Sequence, residues 1–466
     1  MHTAKSDLSL VLQACLDKGE EGLTTSWDEV NVPMIRHWVQ AMGDQNPIYT
    51  DAEFATSTRH GGLVAPPTML QAWTMRGLQG PAPGTSVADP LGSASSVVAD
   101  AGYAAVVATN CEQAYLRYVR PGEKLHHKSR LESISDEKKT GLGTGFFLTQ
   151  LSEYFTEEGE KVAEMRFTIL CYKPAAPERK TPPPAPTGMA SDIDFFWQGL
   201  YEDNCLLIQR CLSCKALRHP PSPACPNCRS LEHDAVEASG RGTLLNHVTM
   251  HHAPLPLFEH PASVALVELD EGIRLLAGLV DIEREALDLG ATLQLAGIQN
   301  HEELNVPMFR KAQQAVSITQ QISGDAFFDD IAVGDKLPTL DIDITTLMIV
   351  STAIASRDYQ DVHHDKDRAQ ELGSPDIFMN ILTSNGLVGR YVTDWAGPEA
   401  ILTVVNIRLG APNYPGDTMV MSGEVIARRE ADGKHYVDLA VVGENSIGAH
   451  VSGTVTVDLP KSAPNK

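Results

Sequence analysis

Residues 32–51 read VPMIRHWVQAMGDQNPIYTD, and residues 348–365 read MIVSTAIASRDYQDVHHD. Each stretch begins as an apolar, helix-like run and leads into a turn that contains an aspartate, Asp44 in the first and Asp358 in the second. The recurrence of this arrangement 314 residues further along the chain, from Asp44 to Asp358, indicates two copies of one structural unit. We call them the first and the second repeat.

Other landmarks recur in the same order in both repeats. A Pro-led segment that predicts a helix follows each turn, APPTMLQAW at 65–73 and SPDIFMNILTSNGLVGRYVTDW at 374–395. A Pro-Gly-acid turn comes next, RPGE at 120–123 and YPGD at 414–417. Alternating apolar residues then predict antiparallel strands. A long helix followed by such strands implies an α+β architecture, with the helix packed on the sheet.

The first repeat carries an insertion. The spacing from Asp44 to Pro121 is 20 residues longer than the spacing from Asp358 to Pro415. The excess falls in the stretch Gly80–Gly102, which is rich in Gly, Ser, Ala and Pro and predicts a loop in place of packed structure.

Length and composition set the domain count. A chain of 466 residues exceeds a single core. We expect the first repeat at 1–175, a Pro-rich linker at 176–189, a middle domain at 190–312 and the second repeat at 325–462. Short strands with Gly-bounded turns predict a small barrel in the middle domain, after a helix that is predicted for DIDFFWQGLYEDNCLLIQ.

Charge narrows the class of partner. Lys and Arg number 37 against 60 Asp and Glu, a formal net charge of −23, which disfavours nucleic acid and anionic membranes. Neither a bilayer-length apolar run nor a secretory signal is apparent, so we expect a cytoplasmic protein that binds neither membrane nor nucleic acid.

Four of the eight cysteines form one cluster. Cys211 and Cys214 make one CxxC, and Cys225 and Cys228 make a second after ten intervening residues. Two such pairs can supply four thiolates to a tetrahedral Zn²⁺. Because no coordination position stays open, the zinc is expected to be structural, and we expect no catalytic cofactor. Four unrelated reduced cysteines are the alternative.

Asp358 and His363 are candidate acid/base residues. A carboxylate and an imidazole that hold one water molecule between them can move the protons needed to hydrate a polarised double bond. N–H groups at a helix N-terminus can stabilise the oxyanion that forms. Spacing alone does not separate this function from a capping turn, and His364 and Asp365 are equally available.

The turn that contains Asp44 resembles the signature sequence of a known enzyme family. The stretch GDQNPIYTD (residues 43–51) resembles the signature of the MaoC-like, (R)-specific enoyl-CoA hydratases, a family with the hot-dog fold. The chain resembles the double-hot-dog arrangement. The resemblance places the family's Asp at Asp44 and Asp358, and its His at Tyr49 and His363. It therefore implies a degenerate, substrate-binding first repeat and a catalytic second repeat.

The resemblance also implies where the oxyanion donors lie. In this family they come from the start of the central helix, which corresponds to Ile377, Phe378, Met379 and Asn380. The equivalent positions of the first repeat are Pro66, Pro67 and Thr68, where proline removes donors. This difference again predicts one active site in the chain.

The middle domain resembles the zinc-ribbon plus OB-fold family that accompanies thiolase-like enzymes. The combination of all three parts is similar to the two-chain hydratases of steroid side chains in bacterial cholesterol and bile-acid catabolism, here fused into one polypeptide. The resemblance implies a steroid-CoA thioester substrate, a thiolase-like aldolase partner and a homodimer. The insertion would then open a pocket for a ring system, or be a surface loop. A non-catalytic acyl-CoA-binding scaffold and a generic short-chain (R)-hydratase are the alternative functions.

Overall fold

The structure is a computed structural model that describes residues 2–78, 80–86, 88–174, 194–200, 205–250, 262–280, 288–300, 305–311 and 325–462. The chain divides into two compact units, one formed by 1–176 with 316–466 and the other by 177–315. The predicted linker at 176–189 and the boundary near 312–324 lie outside the described residues. Within the described ranges, no helix combines the length and the apolarity required to span a bilayer.

The first repeat is a helix-on-sheet layer that opens with helices and ends in four long strands. Its elements are α1 (His2–Asp17), β1 (Glu21–Thr25), α2 (Val32–Met42), α3 (Ala52–Ser57), α4 (Pro90–Asp100), β2 (Ala105–Tyr115), β3 (Leu125–Ile134), β4 (Lys138–Lys139), β5 (Gly143–Thr156) and β6 (Lys161–Pro174). Two 3₁₀ helices, Pro47–Tyr49 and Pro67–Thr74, lie between them.

The start of α2 illustrates why these residues fold locally as they do. The Asn31 side chain accepts a hydrogen bond from the Met34 N–H at 2.9 Å, and Pro33 stands in the first turn, where its missing N–H costs nothing. The apolar residues Ile35, Trp38, Val39 and Met42 recur at helical spacing and are buried. Burial of each such side chain contributes about 1.5–3 kcal/mol.

The expectation of a loop at 80–102 is wrong for its second half, because residues 90–100 form α4. The Asp89 carboxylate caps this helix by accepting the Gly92 N–H at 2.9 Å, and Pro90 occupies the first helical position. Ala94 and Val98 are fully buried in a small core beside α1 and β5. The small residues that suggested a loop instead allow close packing of a helix.

The second unit contains a zinc-ribbon-like sheet and a barrel. Short helix α5 (Asp194–Gln198) comes first, and the predicted continuation of a helix through Leu207 is wrong because a strand begins there. The sheet β8-β7-β9 consists of β7 (Leu207–Cys211), β8 (Leu217–Arg218) and β9 (His233–Glu237). The closed barrel, in the order β10-β11-β12-β14-β13, consists of β10 (Arg241–Met250), β11 (Ala262–Leu269), β12 (Arg274–Leu279), β13 (Thr292–Asn300) and β14 (Asn305–Lys311).

The second repeat returns to the first unit. Its elements are β15 (Lys336–Ile344), α6 (Thr346–Ala355), α7 (Lys366–Glu371), α8 (Ile381–Ala396), β16 (Ile401–Leu409), β17 (Asp417–Ala431), β18 (Lys434–Asn445) and β19 (Gly448–Asp458). The two repeats share one antiparallel sheet in the order β1-β3-β5-β6-β2-β16-β19-β18-β17-β15. Strands β2 and β16 join them, with Val404 opposite Ala114 and Arg408 opposite Asn110. The first unit is therefore a double hot dog.

Helix α8 is the central helix of this unit, and every residue from Ile381 to Asp394 is buried. Two glycines let it approach the first repeat. A Cβ at Gly386 would lie 2.9 Å from atoms of Trp38 and Met42, and one at Gly389 would lie 2.6 Å from Cγ2 of Thr68. The corresponding Pro-led segment of the first repeat forms only the 3₁₀ helix 67–74.

Candidate active site

The two aspartate turns have the same backbone geometry. The Asp44 N–H bonds to the carbonyl of Val39, and the Asp358 N–H bonds to the carbonyl of Ala353, which in both cases is five residues earlier. This pattern ends a helix with one residue in the left-handed region. That residue is Gly43 (φ 67°) in the first repeat and Arg357 (φ 59°) in the second. The repeats thus place their aspartates identically.

Asp358 and His363 face each other inside the second repeat. Nε2 of His363 lies 3.5 Å from Oδ2 of Asp358, and each side chain is only 6% exposed. Nδ1 of His363 lies 2.7 Å from the Phe378 carbonyl, which can only accept, so Nδ1 carries a hydrogen. In the neutral imidazole, Nε2 therefore carries the lone pair, which faces Asp358. This is the tautomer in which Nε2 can accept a proton.

Asn380 holds Asp358 in place, a role that the sequence did not indicate. Its Nδ2 donates to Oδ2 of Asp358 and to Oγ of Ser356, both at 3.0 Å. Its Oδ1 accepts the Thr383 N–H at 2.8 Å and so caps α8. Burial acts to raise the pKa of Asp358, but a protonated His363, which donates to the carboxylate and carries a positive charge, holds it below its usual value, with smaller contributions from Gln360 and Asn380.

The four predicted oxyanion donors are not equivalent. The N–H groups of Ile377, Phe378 and Met379 already bond to Oδ1 of Asp376 and to the carbonyls of Val362 and Asn413. These three hydrogen bonds conflict with the predicted role, because a bonded N–H is not free for an oxyanion. Within the described residues, the N–H groups of Asn380 and Ile381 have no acceptor. They stand at the N-terminus of α8, where the helix favours negative charge.

The candidate residues in the turn of the second repeat differ in burial. His364 and Asp365 are exposed, and Asp365 caps α7 by accepting the Arg368 N–H at 3.0 Å. Of the three candidates in this turn, only His363 is buried against Asp358.

The matching position of the first repeat is occupied by a different set of groups. Tyr49 is buried where the second repeat has His363, and burial raises its pKa well above its usual value. Burial also raises the pKa of Asp44 to about 6, against the opposing effects of the Asn46 N–H and the Arg390 charge. Arg390 and Asp394 reach this place from α8 and bond to each other at 3.2 Å. The sequence did not indicate these two residues, because only the fold brings α8 beside Asp44.

The four cysteines of the ribbon lie together. Their sulfur atoms are all within 4.8 Å of one another, with Cys211–Cys228 and Cys214–Cys225 at 3.5 Å. Bonds of about 2.3 Å to a tetrahedral Zn²⁺ would place the sulfurs roughly 3.8 Å apart, so the arrangement fits the metal. The four cysteines would fill its coordination sphere, and the ribbon is a structural zinc site.

Comparisons with known protein families match the first repeat and both parts of the middle domain. Residues 18–165 match the FAS1-like dehydratase domain region, 202–234 the rubredoxin-like zinc ribbon domain of ChsH2, and 235–297 its C-terminal OB-fold domain. The chain is 43% identical over 288 residues to a probable enoyl-CoA hydratase alpha subunit of Thermomonospora curvata, covering 61% of this chain and 90% of the relative.

Two further relatives are the subunits of one enzyme of Mycobacterium tuberculosis, 3-oxo-4,17-pregnadiene-20-carboxyl-CoA hydratase. The alpha subunit is 43% identical over 59% of this chain and 89% of its own length. The beta subunit is 50% identical over 28% of this chain and 98% of its own length. A solved MaoC-like dehydratase has the same fold at 18% identity, with a TM-score of 0.54 over 97% of this chain and all of that chain.

The double hot dog is the fold of the MaoC-like dehydratases, and in this chain a buried Asp–His pair lies beside the N-terminus of its central helix. Within that class, the chain belongs to the enoyl-CoA hydratase family, and it carries in one polypeptide regions similar to both the alpha and the beta subunits.

Proposed function

We propose that this chain hydrates the α,β-unsaturated CoA thioester of a steroid side chain, with one active site formed by Asp358 and His363. The observation that supports this most strongly is the buried pair itself, 3.5 Å apart beside the N-terminus of α8, with no imidazole in the matching position of the first repeat.

The geometry supports a simple sequence of proton transfers. Asp358 and Nε2 of His363 hold the attacking water, and Nε2 takes one of its protons as oxygen bonds to Cβ of the substrate. The electron pair of the double bond moves through Cα onto the thioester oxygen, where the N–H groups of Asn380 and Ile381 stabilise the charge. The proton on Nε2 then passes to Cα as the enolate collapses. One water is consumed and His363 returns to its neutral form.

The shape of the first repeat favours a bulky acyl group. The second repeat packs the 16-residue helix α8 against its part of the sheet. The first repeat has only an eight-residue 3₁₀ helix at the corresponding position, so less backbone fills the space beside its strands. Relatives named for a pregnadiene-carboxyl-CoA substrate support a steroid rather than a short acyl chain. The cholesterol or bile-acid origin of the nucleus is part of the same proposal.

A direct comparison of substrates tests the function. The purified chain is incubated with a steroid enoyl-CoA or with crotonyl-CoA, and the gain of one water is followed by mass spectrometry. We expect efficient hydration of the steroid thioester. Preference for crotonyl-CoA would instead establish a short-chain hydratase, and hydration of neither would favour an acyl-CoA-binding scaffold.

We also propose that the ribbon and barrel unit docks a thiolase-like aldolase that receives the β-hydroxyacyl product. Exposed apolar side chains on the ribbon support this role: Leu212 and Leu231 are 41% and 71% exposed, and the Leu212 N–H bonds to the Glu232 carbonyl beside Leu231. Leu231→Lys is expected to weaken co-purification of the aldolase. Ile447→Lys, at a 58% exposed position of the first unit, is the matched control.

A further inference from the structure

Buried polar side chains cluster inside the first repeat, on the side that faces α8. Tyr115 on β2 donates its hydroxyl hydrogen to Oε1 of Gln113 at 2.7 Å, and Asn385 on α8 lies beside that hydroxyl. Tyr154 on β5 packs against the ring of His127, with ring centroids 5.0 Å apart. We call this set, completed by Trp73, the interior polar cluster.

Several atoms of this cluster have no hydrogen-bond partner within the described part of the chain. Asn385 is 1% exposed, and neither its Nδ2 nor its Oδ1 forms a hydrogen bond of ordinary geometry. The Tyr154 hydroxyl, which lies beside the Thr74 side chain, and the Trp73 indole N–H are likewise buried and form no hydrogen bond of ordinary geometry. Burying a polar group without a partner is unfavourable, so each such group calls for an explanation, such as a bound molecule that completes it.

The cluster is electrically neutral. Burial raises the pKa values of Tyr115 and Tyr154 well above 10 and lowers that of His127 to about 4, so all three groups are uncharged at neutral pH. A neutral set that offers both donors and an acceptor suits a carbonyl or hydroxyl oxygen better than a carboxylate or a phosphate.

The interior polar cluster and the proposed active site both include a residue of α8. Asn385 is five residues further along α8 than Asn380, which holds Asp358. At a rise of 1.5 Å and a turn of about 100° per residue, the two positions are about 7.5 Å apart along the helix and about 140° apart around it, so that Asn385 is turned towards the first repeat. An acyl group that reacts beside Asn380 and passes along and around α8 towards the first repeat would place a distant ring near Asn385.

We propose that Asn385 and Tyr154 form a specificity site that recognises an oxygen function, a ketone or a hydroxyl, on the ring portion of the acyl group. Nδ2 of Asn385 and the Tyr154 hydroxyl donate to that oxygen, and Oδ1 of Asn385 accepts from it when it is a hydroxyl. This inference rests on the proposed function and assigns the residues that would discriminate among its substrates.

The test compares two steroid enoyl-CoA thioesters that differ only in a ring ketone. Wild-type protein is expected to prefer the ketone by about tenfold or more in kcat/KM, and Asn385→Leu and Tyr154→Phe are each expected to reduce that preference severalfold. Tyr391→Phe is the matched control, because the Tyr391 hydroxyl is also on α8 but donates to the Pro338 carbonyl. The preference of Tyr391→Phe for the ring ketone should equal that of wild type.

A second readout does not depend on catalysis. Removing an unpaired buried polar atom should leave the thermal stability of the free protein unchanged or higher, whereas removing a structural hydrogen bond should lower it. Equal kcat/KM for the two thioesters, an unchanged preference in both variants, or a lower Tm for both would overturn the proposal. If wild type hydrates neither thioester, the proposed function fails, and saturable binding of a free ring-ketone steroid that both variants weaken would still support the site.

Discussion

The aspartates of the two repeats differ in the residues that surround them. Asp44 and Asp358 occupy the same place in the same turn, yet Asp358 faces an imidazole and an amide while Asp44 lies near Arg390, Asp394 and Tyr49. The sequence motif could identify both aspartates. It could not show that the side chain of Asn380 supports one of them, since that contact spans 22 residues.

Asn380 has two roles that substitution can separate. Asn380→Ser keeps a side-chain oxygen for the Thr383 N–H but loses the amide that bonds Asp358. We expect near-normal stability with a fall in kcat of tenfold or more. Asn380→Ala loses the cap as well and should also lower the free energy of unfolding by about 1 kcal/mol. Steady-state kinetics and urea unfolding measure the two effects; equal kcat in Asn380→Ser and wild type would contradict the assignment.

Two acids where α8 meets the first repeat, Asp44 and Asp394, predict a pH dependence of stability. Burial raises the pKa of Asp44 to about 6 and, with the negative charge of Asp44, that of Asp394 to about 7. Between about pH 4 and pH 7 the folded state therefore binds more protons than the unfolded state, so this pair makes the protein less stable as pH rises. Asp44→Asn should lose less stability over that range than wild type.

The expected difference between Asp44→Asn and wild type grows by on the order of 1 to 2 kcal/mol between pH 5 and pH 8. Urea unfolding at several pH values measures it, and Asp28→Asn at an exposed position is the matched control. A difference that shrinks as pH rises would show that Asp44 is stabilised as a carboxylate.

At the scale of elements, the sequence predicted strands and turns better than helix limits. Period-2 alternation predicted the antiparallel strands that end each repeat, and the predicted small barrel corresponds to β10–β14. The limits of α4 and α8 depend on tertiary contacts. Ala94 and Val98 become an apolar face only once α1 and β5 cover them, and α8 begins at Ile381, where the Asn380 side chain caps it.

The contact of α8 with the first repeat makes Gly389 sensitive to substitution. A Cβ there would press on Cγ2 of the buried, β-branched Thr68. Gly389→Ala is expected to lower the free energy of unfolding by about 1–2 kcal/mol even after the gain in helix propensity. Adding Thr68→Ser, which removes Cγ2, should restore most of the lost free energy of unfolding. Gly141→Ala, at an open position, is the control; absence of rescue would point to a different cause of the loss.

At the scale of the whole molecule, one chain contains both halves of the double hot dog and a separate zinc-dependent unit. The β2–β16 pairing supplies within the chain the junction that two polypeptides would otherwise form. The homodimer stays a prediction, which sedimentation would test. The sequence indicated this organisation through the repeated landmarks, but the packing between repeats could not be read from periodicity.

Loss of zinc should affect one unit and spare the other. Cys214→Ser removes one of four thiolates and is expected to abolish stoichiometric zinc and lower the unfolding temperature of the ribbon. The first unit has its own core, so its unfolding transition should stay unchanged. Metal analysis with calorimetry measures both, and Cys15→Ser is the control. A matching loss of stability in the first unit would contradict the independence of the two.

We propose that the chain has one active site, in its second repeat. The most direct measurement is kcat/KM for hydration of a steroid enoyl-CoA by Asp358→Asn, His363→Ala, Asp44→Asn and Tyr49→Phe, with folding checked by circular dichroism. We predict a loss of about 10²-fold or more for the first two variants and less than severalfold for the other two. Wild-type rates in Asp358→Asn and His363→Ala, or equal losses in all four variants, would contradict it.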